Sequence, residues 1–204
     1  MSQKSLVRRA ARVAGASLLL STVAACVKIG SNPPQRLLSI SSDARIAAGA
    51  TVSAAPQSAL FVETPRVPRT ISTQRVAVRA DPTSYAYVKN ALWADTPAHQ
   101  FQALLGETIA ARTGRLVLDP GQYPAQVGQI LHGDLIDFGV DARAGMAVVT
   151  YDASLLAPDG QTVRRQRFSA TAPVSKVDAD GVAPPISKAA NEVAVQVADW
   201  LGKP

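Results

Sequence analysis

One stretch of the chain alternates in polarity over ten residues and leaves few choices of structure. Residues 146–155 read MAVVTYDASL, and every second side chain on one face is apolar, namely Ala147, Val149, Tyr151, Ala153 and Leu155. Because successive side chains of a strand point to opposite faces, this pattern predicts a strand with one buried face. Turn signals lie on both sides, at 141–145 and 158–160. Residues 125–172 therefore predict a three-stranded antiparallel meander.

Two segments have the spacing of amphipathic helices. The first has Thr96 as its predicted N-cap, Pro97 at the first helical position and Gly114 as its stop, with core-facing positions at Phe101, Leu104, Leu105, Thr108 and Ile109. The second is C-terminal and carries a stripe formed by Ala190, Val193, Val197, Trp200 and Leu201, closed by Gly202. Pro184 and Pro185 fall near its first turn, which leaves its start open.

Shorter strand-like segments precede the first helix. They cover 36–40, 59–63, 75–79 and, more weakly, 85–89, while the Ala/Gly/Ser/Pro-rich residues 47–58 predict a loop. Two amphipathic helices and a mainly antiparallel or mixed sheet can bury their apolar faces only on each other. The sequence therefore predicts an α+β fold, a two-layer sandwich with two principal helices packed on the sheet.

The basic charge concentrates before the single cysteine, Cys26. Four basic side chains and no acidic one precede it: Lys4, Arg8, Arg9 and Arg12. Together with a short apolar run and small residues, they predict a secretory signal peptide over 1–25, because the run is shorter than the ~20 apolar residues of a transmembrane helix. Its removal takes Lys+Arg from 21 to 17 against 15 acidic residues, so the net charge falls from +6 to +2. Binding to nucleic-acid phosphates requires a basic face, so nucleic acid is excluded as a partner.

The residues before Cys26 resemble the bacterial lipobox, an aliphatic residue and two small ones followed by cysteine. Here they are Val23, Ala24 and Ala25. The resemblance implies cleavage between Ala25 and Cys26 and lipidation of Cys26, since two or more acyl chains hold a protein durably on a membrane. An unmodified cysteine, in an ordinary cleaved signal or a buried anchor, is the alternative. Val27 follows the cysteine in place of Asp, which by analogy with enterobacterial sorting indicates the outer membrane, with the inner membrane less favoured.

The segment after the cysteine predicts a short tether. Residues 31–35 read SNPPQ, which cannot hold a helix. The nine residues 27–35 span at most ~30 Å, so the domain must lie close to the membrane surface. The predicted organisation is a signal peptide (1–25), a lipidated N-terminus with a flexible tether (26–35) and one α+β domain (36–204).

Candidate catalytic and metal-binding residues are few. His99 lies on the first helix and is predicted to face solvent, whereas His132 and Asp134 share one strand face. A metal or acid–base site at His132 and Asp134 is one interpretation, and a surface His–Asp pair is the favoured one. The sequence contains no Gly-x-Ser-x-Gly elbow and no phosphate-binding glycine loop. We therefore predict no enzyme activity, no catalytic or metal site, and no cofactor beyond the covalent lipid on Cys26.

Two groups of side chains are candidates for contacts with other molecules. Arg164, Arg165 and Arg167 form a cationic strand, either an edge strand charged against further pairing or a contact for anionic lipid headgroups. The aromatic residues Tyr85, Tyr87 and Trp93 precede the first helix. Such residues usually anchor a loop on the core, and a role in partner contact is the alternative.

The element order and three motifs resemble the ABC-type transport auxiliary lipoproteins of the paraquat-inducible type. In that family, a strand that ends in Arg, a Tyr and a Trp-Ala-acidic run lead into the long helix. The corresponding segments are QRVAVR, ending at Arg79, and SYAYVKNALWAD, with Tyr85 or Tyr87 and the run from Trp93 to Asp95. The resemblance covers roughly residues 36–204.

This resemblance implies a non-enzymatic lipoprotein anchored at the periplasmic face of the outer membrane of a Gram-negative bacterium. Its partners would be an ABC permease and ATPase and an MCE-domain protein that move phospholipid or other hydrophobic molecules between membranes, and it would form a homo-oligomer. The alternative is a stand-alone periplasmic binding module for a hydrophobic ligand.

Overall fold

The structure is a computed structural model that describes residues 36–121 and 128–202. The predicted signal peptide (1–25), the lipidation residue Cys26 and the tether (26–35) lie outside the described residues. They therefore stay predictions.

Seven strands form one mixed sheet, built around the meander that the alternating sequence predicts. The strands are β1 Leu60–Val62, β2 Arg75–Asp81, β3 Ser84–Leu92, β4 Val117–Leu118, β5 Gln129–Asp141, β6 Met146–Leu156 and β7 Val163–Pro173. Strands β5, β6 and β7 pair antiparallel in chain order. The predicted three-stranded meander is confirmed.

Strand β5 is long enough to pair with two strands along the edge opposite β6. Its first three residues pair in parallel with β1, and its last three, Gly139 to Asp141, pair in parallel with β2. Strand β4 then extends β1, and β3 extends β2. Gly139 allows the close approach of β2, because a Cβ there would collide with the carbonyl oxygen of Ala77.

Two α-helices follow the predicted spacing. Helix α1 is Pro97–Thr113, with Thr96 as its N-cap and Gly114 in the left-handed conformation at its end (φ 67°). Helix α2 is Ala179–Leu201.

Helix α2 begins earlier than its prolines suggest. The carboxylate of Asp178 caps it by accepting hydrogen bonds from the amides of Asp180 and Gly181. The cap lies six residues before Pro184, so Pro184 and Pro185 fall in the second turn and not near the first. The loss of their N–H groups leaves only two carbonyls near the helix start without the usual partner, which the surrounding packing tolerates.

Both helices pack on the same face of the sheet, where the core lies. All five apolar residues of the alternating stretch are buried, and Tyr151 packs against Phe101 of α1 with ring centroids 5.2 Å apart. The stripe of α2 is buried on the same core. The fold is the predicted α+β sandwich, with a second sheet face that carries polar and charged side chains, here called the open face.

The N-terminal segment 36–40 is not the strand that its sequence predicts. Only Leu38 forms a bridge, to Trp93, through hydrogen bonds with the backbone of Leu92 and Ala94. Beyond Leu38, backbone amides of the segment donate hydrogen bonds to side chains on the helices. The amide of Asp43, for example, donates to the side chain of Asn191 on α2. Side-chain acceptors on the helices thus replace a strand partner, so the segment does not continue as a ladder.

Candidate partner-binding surface

The predicted His–Asp pair on β5 lies on the open face, where Asp134 already has a partner. Arg66 donates a hydrogen bond to one oxygen of the Asp134 carboxylate at 3.0 Å, and its Nε lies 2.8 Å from the other oxygen. His132 lies opposite Ser154 in the sheet register. Within 36–121 and 128–202, no three His, Cys, Asp or Glu side chains cluster as a metal site would require. In this geometry Asp134 belongs to a charged surface with Arg66 and Arg165.

His99 lies at the start of α1, exposed as the sequence predicts. Its Nδ1 is 3.2 Å from a carboxylate oxygen of Asp95, one helical turn away. Both side chains are more than half exposed, so this pair is a surface contact of low energetic weight.

The arginines of β7 are held by groups of the same chain. Arg167 donates two hydrogen bonds to Asp152 on β6, at 2.5 and 2.7 Å, and Arg165 lies 3.5 Å from the same carboxylate. Arg167, then the charge of Arg165, lowers the pKa of Asp152 below its ordinary value. Arg164 points to the other face, where it donates to the carbonyl oxygen of Trp200 at 3.1 Å. In the part of the chain described, β7 pairs only with β6, so it is an edge strand.

Two arginine–tyrosine pairs lie side by side on the open face of β2 and β3. The guanidinium of Arg75 lies 3.8 Å from the ring centroid of Tyr87. Four residues further along β2, Arg79 donates to the hydroxyl of Tyr85 at 3.0 Å and to Asp137 at 2.5 Å. Stacking holds the Arg75 guanidinium in place and leaves its outer N–H groups available to an acceptor, whereas hydrogen bonds to Tyr85 and Asp137 hold Arg79.

The two arginine–tyrosine pairs present exposed side chains on the open face. Tyr85 is 43% exposed, Arg75 is exposed, and no salt bridge joins Arg75 to a carboxylate of the described residues. Tyrosine and arginine are enriched among the residues that carry binding energy at protein interfaces. We define the Arg–Tyr surface as Arg75, Arg79, Tyr85 and Tyr87.

Trp93 lies in the core, unlike Tyr85 and Tyr87, with which it was grouped in the sequence. It is fully buried and packs edge-on against Phe138, with ring centroids 5.5 Å apart. A side chain without exposed surface offers nothing to a partner, so Trp93 is a core residue in this fold. Sequence reasoning also missed Arg75, although its four-residue spacing from Arg79 places both on one strand face.

A groove of about 600 Å³ runs between α1 and the short strand β4. Its walls combine apolar side chains, such as Val117 and Leu118, with polar ones, such as Gln102 and Glu107. Gly106 faces Val117 across it, and a Cβ there would stand 3.6 Å from that side chain. No local pattern in the sequence indicates this groove, because Ile46, Val62 and Thr64, from much earlier in the chain, complete its walls beside α1 and β4.

Residues 42–198 match the family described as the ABC-type transport auxiliary lipoprotein component. The chain belongs to this family. No curated protein matches the sequence. The match includes both helices almost entirely, all seven strands and the Arg–Tyr surface.

Solved structures show that the fold is shared. A crystal structure of an uncharacterized protein has a TM-score of 0.62 at 16% identity, covering 81% of this chain and 99% of its own. A Xanthomonas campestris protein has a TM-score of 0.60 at 20% identity, covering 81% of this chain and 91% of its own. At these identities the likeness shows the fold alone. Among the described residues of this family member, no helix is both long and apolar enough to cross a bilayer.

The family motif residues divide between surface and core. Arg79 and Tyr85 bond to each other on the open face, whereas Trp93 fills the core just before α1. The carboxylate of Asp95 accepts a hydrogen bond from the Thr96 amide at 2.6 Å and so helps to start the helix. In this auxiliary lipoprotein the motif thus combines one exposed pair with two structural positions.

Proposed function

We propose that the protein is a non-catalytic auxiliary component of an ABC/MCE-type system that moves lipid between the inner and outer membranes. In this role it faces the periplasm from an anchor in the outer membrane. The match to the auxiliary lipoprotein family over residues 42–198 is the observation that carries the proposal. The exposed Arg–Tyr surface supports the proposal as a candidate contact surface for a partner.

The anchor in this proposal is the acylated Cys26. One acyl chain gives marginal membrane binding and several give durable binding, at about 0.8 kcal/mol per buried CH₂ group. We expect the Cys26→Ala variant to leave the membrane fraction, or to accumulate as an uncleaved precursor. Labelled fatty acid should enter the wild type and not the variant. Membrane association of the variant, with no label in the wild type, would contradict the anchor.

Partner contact is assigned to the Arg–Tyr surface. Its guanidinium groups suit acidic side chains of a transporter or MCE-domain protein, and its tyrosines supply apolar contact area. The matched variants are Tyr85→Ala on this surface and His99→Ala on α1, which is exposed but lies on another element.

The decisive experiment is affinity purification of the full lipidated protein from crosslinked cell envelopes. We expect an ABC permease, an ATPase or an MCE-domain protein to be recovered with the wild type and with His99→Ala, and to be reduced several-fold with Tyr85→Ala. Recovery of none of these components with the wild type would refute the proposal. Equal recovery with Tyr85→Ala would refute the assignment of the surface alone.

The groove beside α1 supports a second candidate, a stand-alone module for a hydrophobic ligand. Its volume of about 600 Å³ falls in the usual range of ligand sites, and Val62, Val117 and Leu118 supply apolar wall. Mass spectrometry of lipid extracted from the purified protein tests it. A lipid bound by the wild type and lost in Gly106→Leu, which fills the groove, would favour this candidate. Its absence from the wild type would remove it.

A further inference from the structure

Strand β7 presents the longest regular free edge of the described sheet. All eleven of its residues pair with β6 without a register shift. The opposite end of the sheet is different, because β3 pairs with β2 through two register shifts and Asn90 has a positive φ of 57°. Strand β4 has two residues. Of these edges, only β7 offers an unbroken row of backbone groups.

The hydrogen bonds at both ends of β7 show which groups point outward. The amide of Val174 donates to Gly145, and the carbonyl of Thr162 accepts from Ala157, so both residues face β6. Backbone groups alternate in direction along a strand, and even-numbered residues therefore face β6. The outward set is odd-numbered and consists of Val163, Arg165, Arg167, Ser169, Thr171 and Pro173.

The charges of β7 lie in one half of the strand. Arg164, Arg165 and Arg167 come before Phe168, and the residues from Ser169 to Pro173 are small and uncharged. Arg165 and Arg167 are also held near Asp152, which reduces the positive charge that they present at the edge. A parallel partner strand in register would place arginine beside arginine. An antiparallel partner centred on the strand would place arginine beside a small neutral residue.

We propose that this edge pairs with the β7 edge of a second copy of the chain, antiparallel about a two-fold axis at Phe168. In this register Arg167 lies opposite the partner's Ser169, and Arg165 lies opposite the partner's Thr171. All of these residues belong to the outward set, so they can exchange backbone hydrogen bonds. Pro173, which lacks an N–H, falls opposite the partner's Val163 at the end of the ladder, where it removes only a terminal bond.

This pairing joins two sheets into one and makes a symmetric, self-complementary interface. It is independent of the proposed transport function, since it depends only on the edge of β7. The alternative is the interpretation given by the sequence, in which the arginines keep the edge unpaired.

Substitutions that introduce a charge at Thr171 distinguish a paired β7 edge from an unpaired one. Sedimentation equilibrium of the full chain, in a density-matched non-ionic detergent, measures the dimerisation constant. Thr171→Lys places one lysine opposite Arg165 of the other copy, twice by symmetry, and should weaken the dimer. Thr171→Glu should strengthen it. Cross-strand charge pairs of this kind, present twice by symmetry, correspond to changes of about two- to thirty-fold. Thr51, an exposed loop threonine, is the control, and Thr51→Lys and Thr51→Glu should leave the constant unchanged.

A mixing experiment tests the register directly. Residues opposite each other in a hydrogen-bonded antiparallel pair have Cα atoms about 5.5 Å apart, within reach of a disulfide. Mild oxidation should therefore link Arg165→Cys chains to Thr171→Cys chains when the two are mixed, and should link neither variant to itself. A disulfide through Cys26 would also form in each variant alone, so the single-variant samples identify it.

Three outcomes overturn the proposal. One is a wild-type protein that stays monomeric up to about 1 mM, the weak end of specific association. The second is a dimer that responds equally to Lys and Glu at 171. The third is a mixture that forms no disulfide beyond the single-variant controls.

Discussion

At the scale of single residues, two glycines show how local space decides the effect of one methyl group. Gly133 lies on β5 beneath Tyr151, and a Cβ there would stand 2.7 Å from the Tyr151 ring and closer still to the carbonyl oxygen of Asp152. Gly106 lies on α1, where a Cβ meets only Val117 at an ordinary contact distance of 3.6 Å. The same substitution should therefore have opposite effects at the two sites.

We expect Gly133→Ala to lower the free energy of unfolding by about 1–3 kcal/mol or more, because a crowded backbone contact cannot relax without shifting a strand. Gly106→Ala should raise it by about 0.5–1 kcal/mol, since alanine restricts the unfolded chain and favours the helix. Urea denaturation of the two variants measures both. Destabilisation of similar size at the two positions would show that the space around these residues differs from that described.

Asp152 links the charge of the open face to the pH dependence of stability. Hydrogen bonds from Arg167 lower its pKa below the ordinary value, so the carboxylate is more acidic in the folded than in the unfolded chain. Its contribution is then fully present above the unfolded pKa of about 3.9 and is lost as the pH falls through the lower folded pKa. Asp152→Asn should therefore unfold at a lower denaturant concentration than the wild type at pH 6, with a difference that shrinks as the pH falls below about 3.9. A difference that stays constant with pH would contradict the charged pair. Asp43→Asn, at an exposed position of the N-terminal segment, controls for general charge removal.

At the scale of elements, the start of α2 depends on one cap. Asp178 accepts from the amide of Gly181 at 2.8 Å and from that of Asp180 at 3.2 Å. Asp178→Ala leaves these amides without an acceptor, and we expect a loss of about 1 kcal/mol. Asp178→Asn keeps an acceptor of similar strength and should retain most of the stability, even though the ion pair with Lys176 is lost. Chemical denaturation distinguishes them, and equal losses would assign the effect to the ion pair.

Elements whose partners are local in sequence were predictable, and those whose partners are distant were not. The alternating polarity of β6 shows which of its faces is buried, and the cap residues of α1 mark where that helix begins and ends. The meander and the helix can therefore be predicted from the local sequence. Segment 36–40 has strand composition, yet its neighbours are helix side chains far along the chain. The division of one edge of β5 between β1 and β2 also depends on contacts that no local pattern encodes.

The candidate surface was predictable to a similar extent. The aromatic residues before α1 were identified, and the structure separates the exposed Tyr85 from the buried Trp93. Composition alone could not do so, because a tyrosine and a tryptophan are equally suited to a core or an interface. The stacking of Arg75 on Tyr87 joins two strands and appears only once their register is known.

At the scale of the whole molecule, one core connects the sheet to both helices. Phe168 of β7 packs edge-on against Trp200 of α2, with centroids 5.6 Å apart, while Trp93 packs on Phe138 of β5, on the same face of the sheet. The two tryptophans of the chain thus report on distant parts of the same hydrophobic cluster. If residues 36–204 form a single domain, as the sequence predicts, both parts should unfold together.

Single-tryptophan variants test this cooperativity. In Trp200→Phe the fluorescence reports on Trp93, and in Trp93→Phe it reports on Trp200. Each replacement lowers stability by its own amount, so the comparison is made within a variant, between the fluorescence midpoint in urea and the midpoint from far-ultraviolet circular dichroism. We expect the two midpoints to coincide in both variants, because loss of either helix exposes the core that holds the other. If Trp200 changed at lower urea than the circular dichroism signal, α2 would unfold separately, and the two layers would not form one cooperative unit.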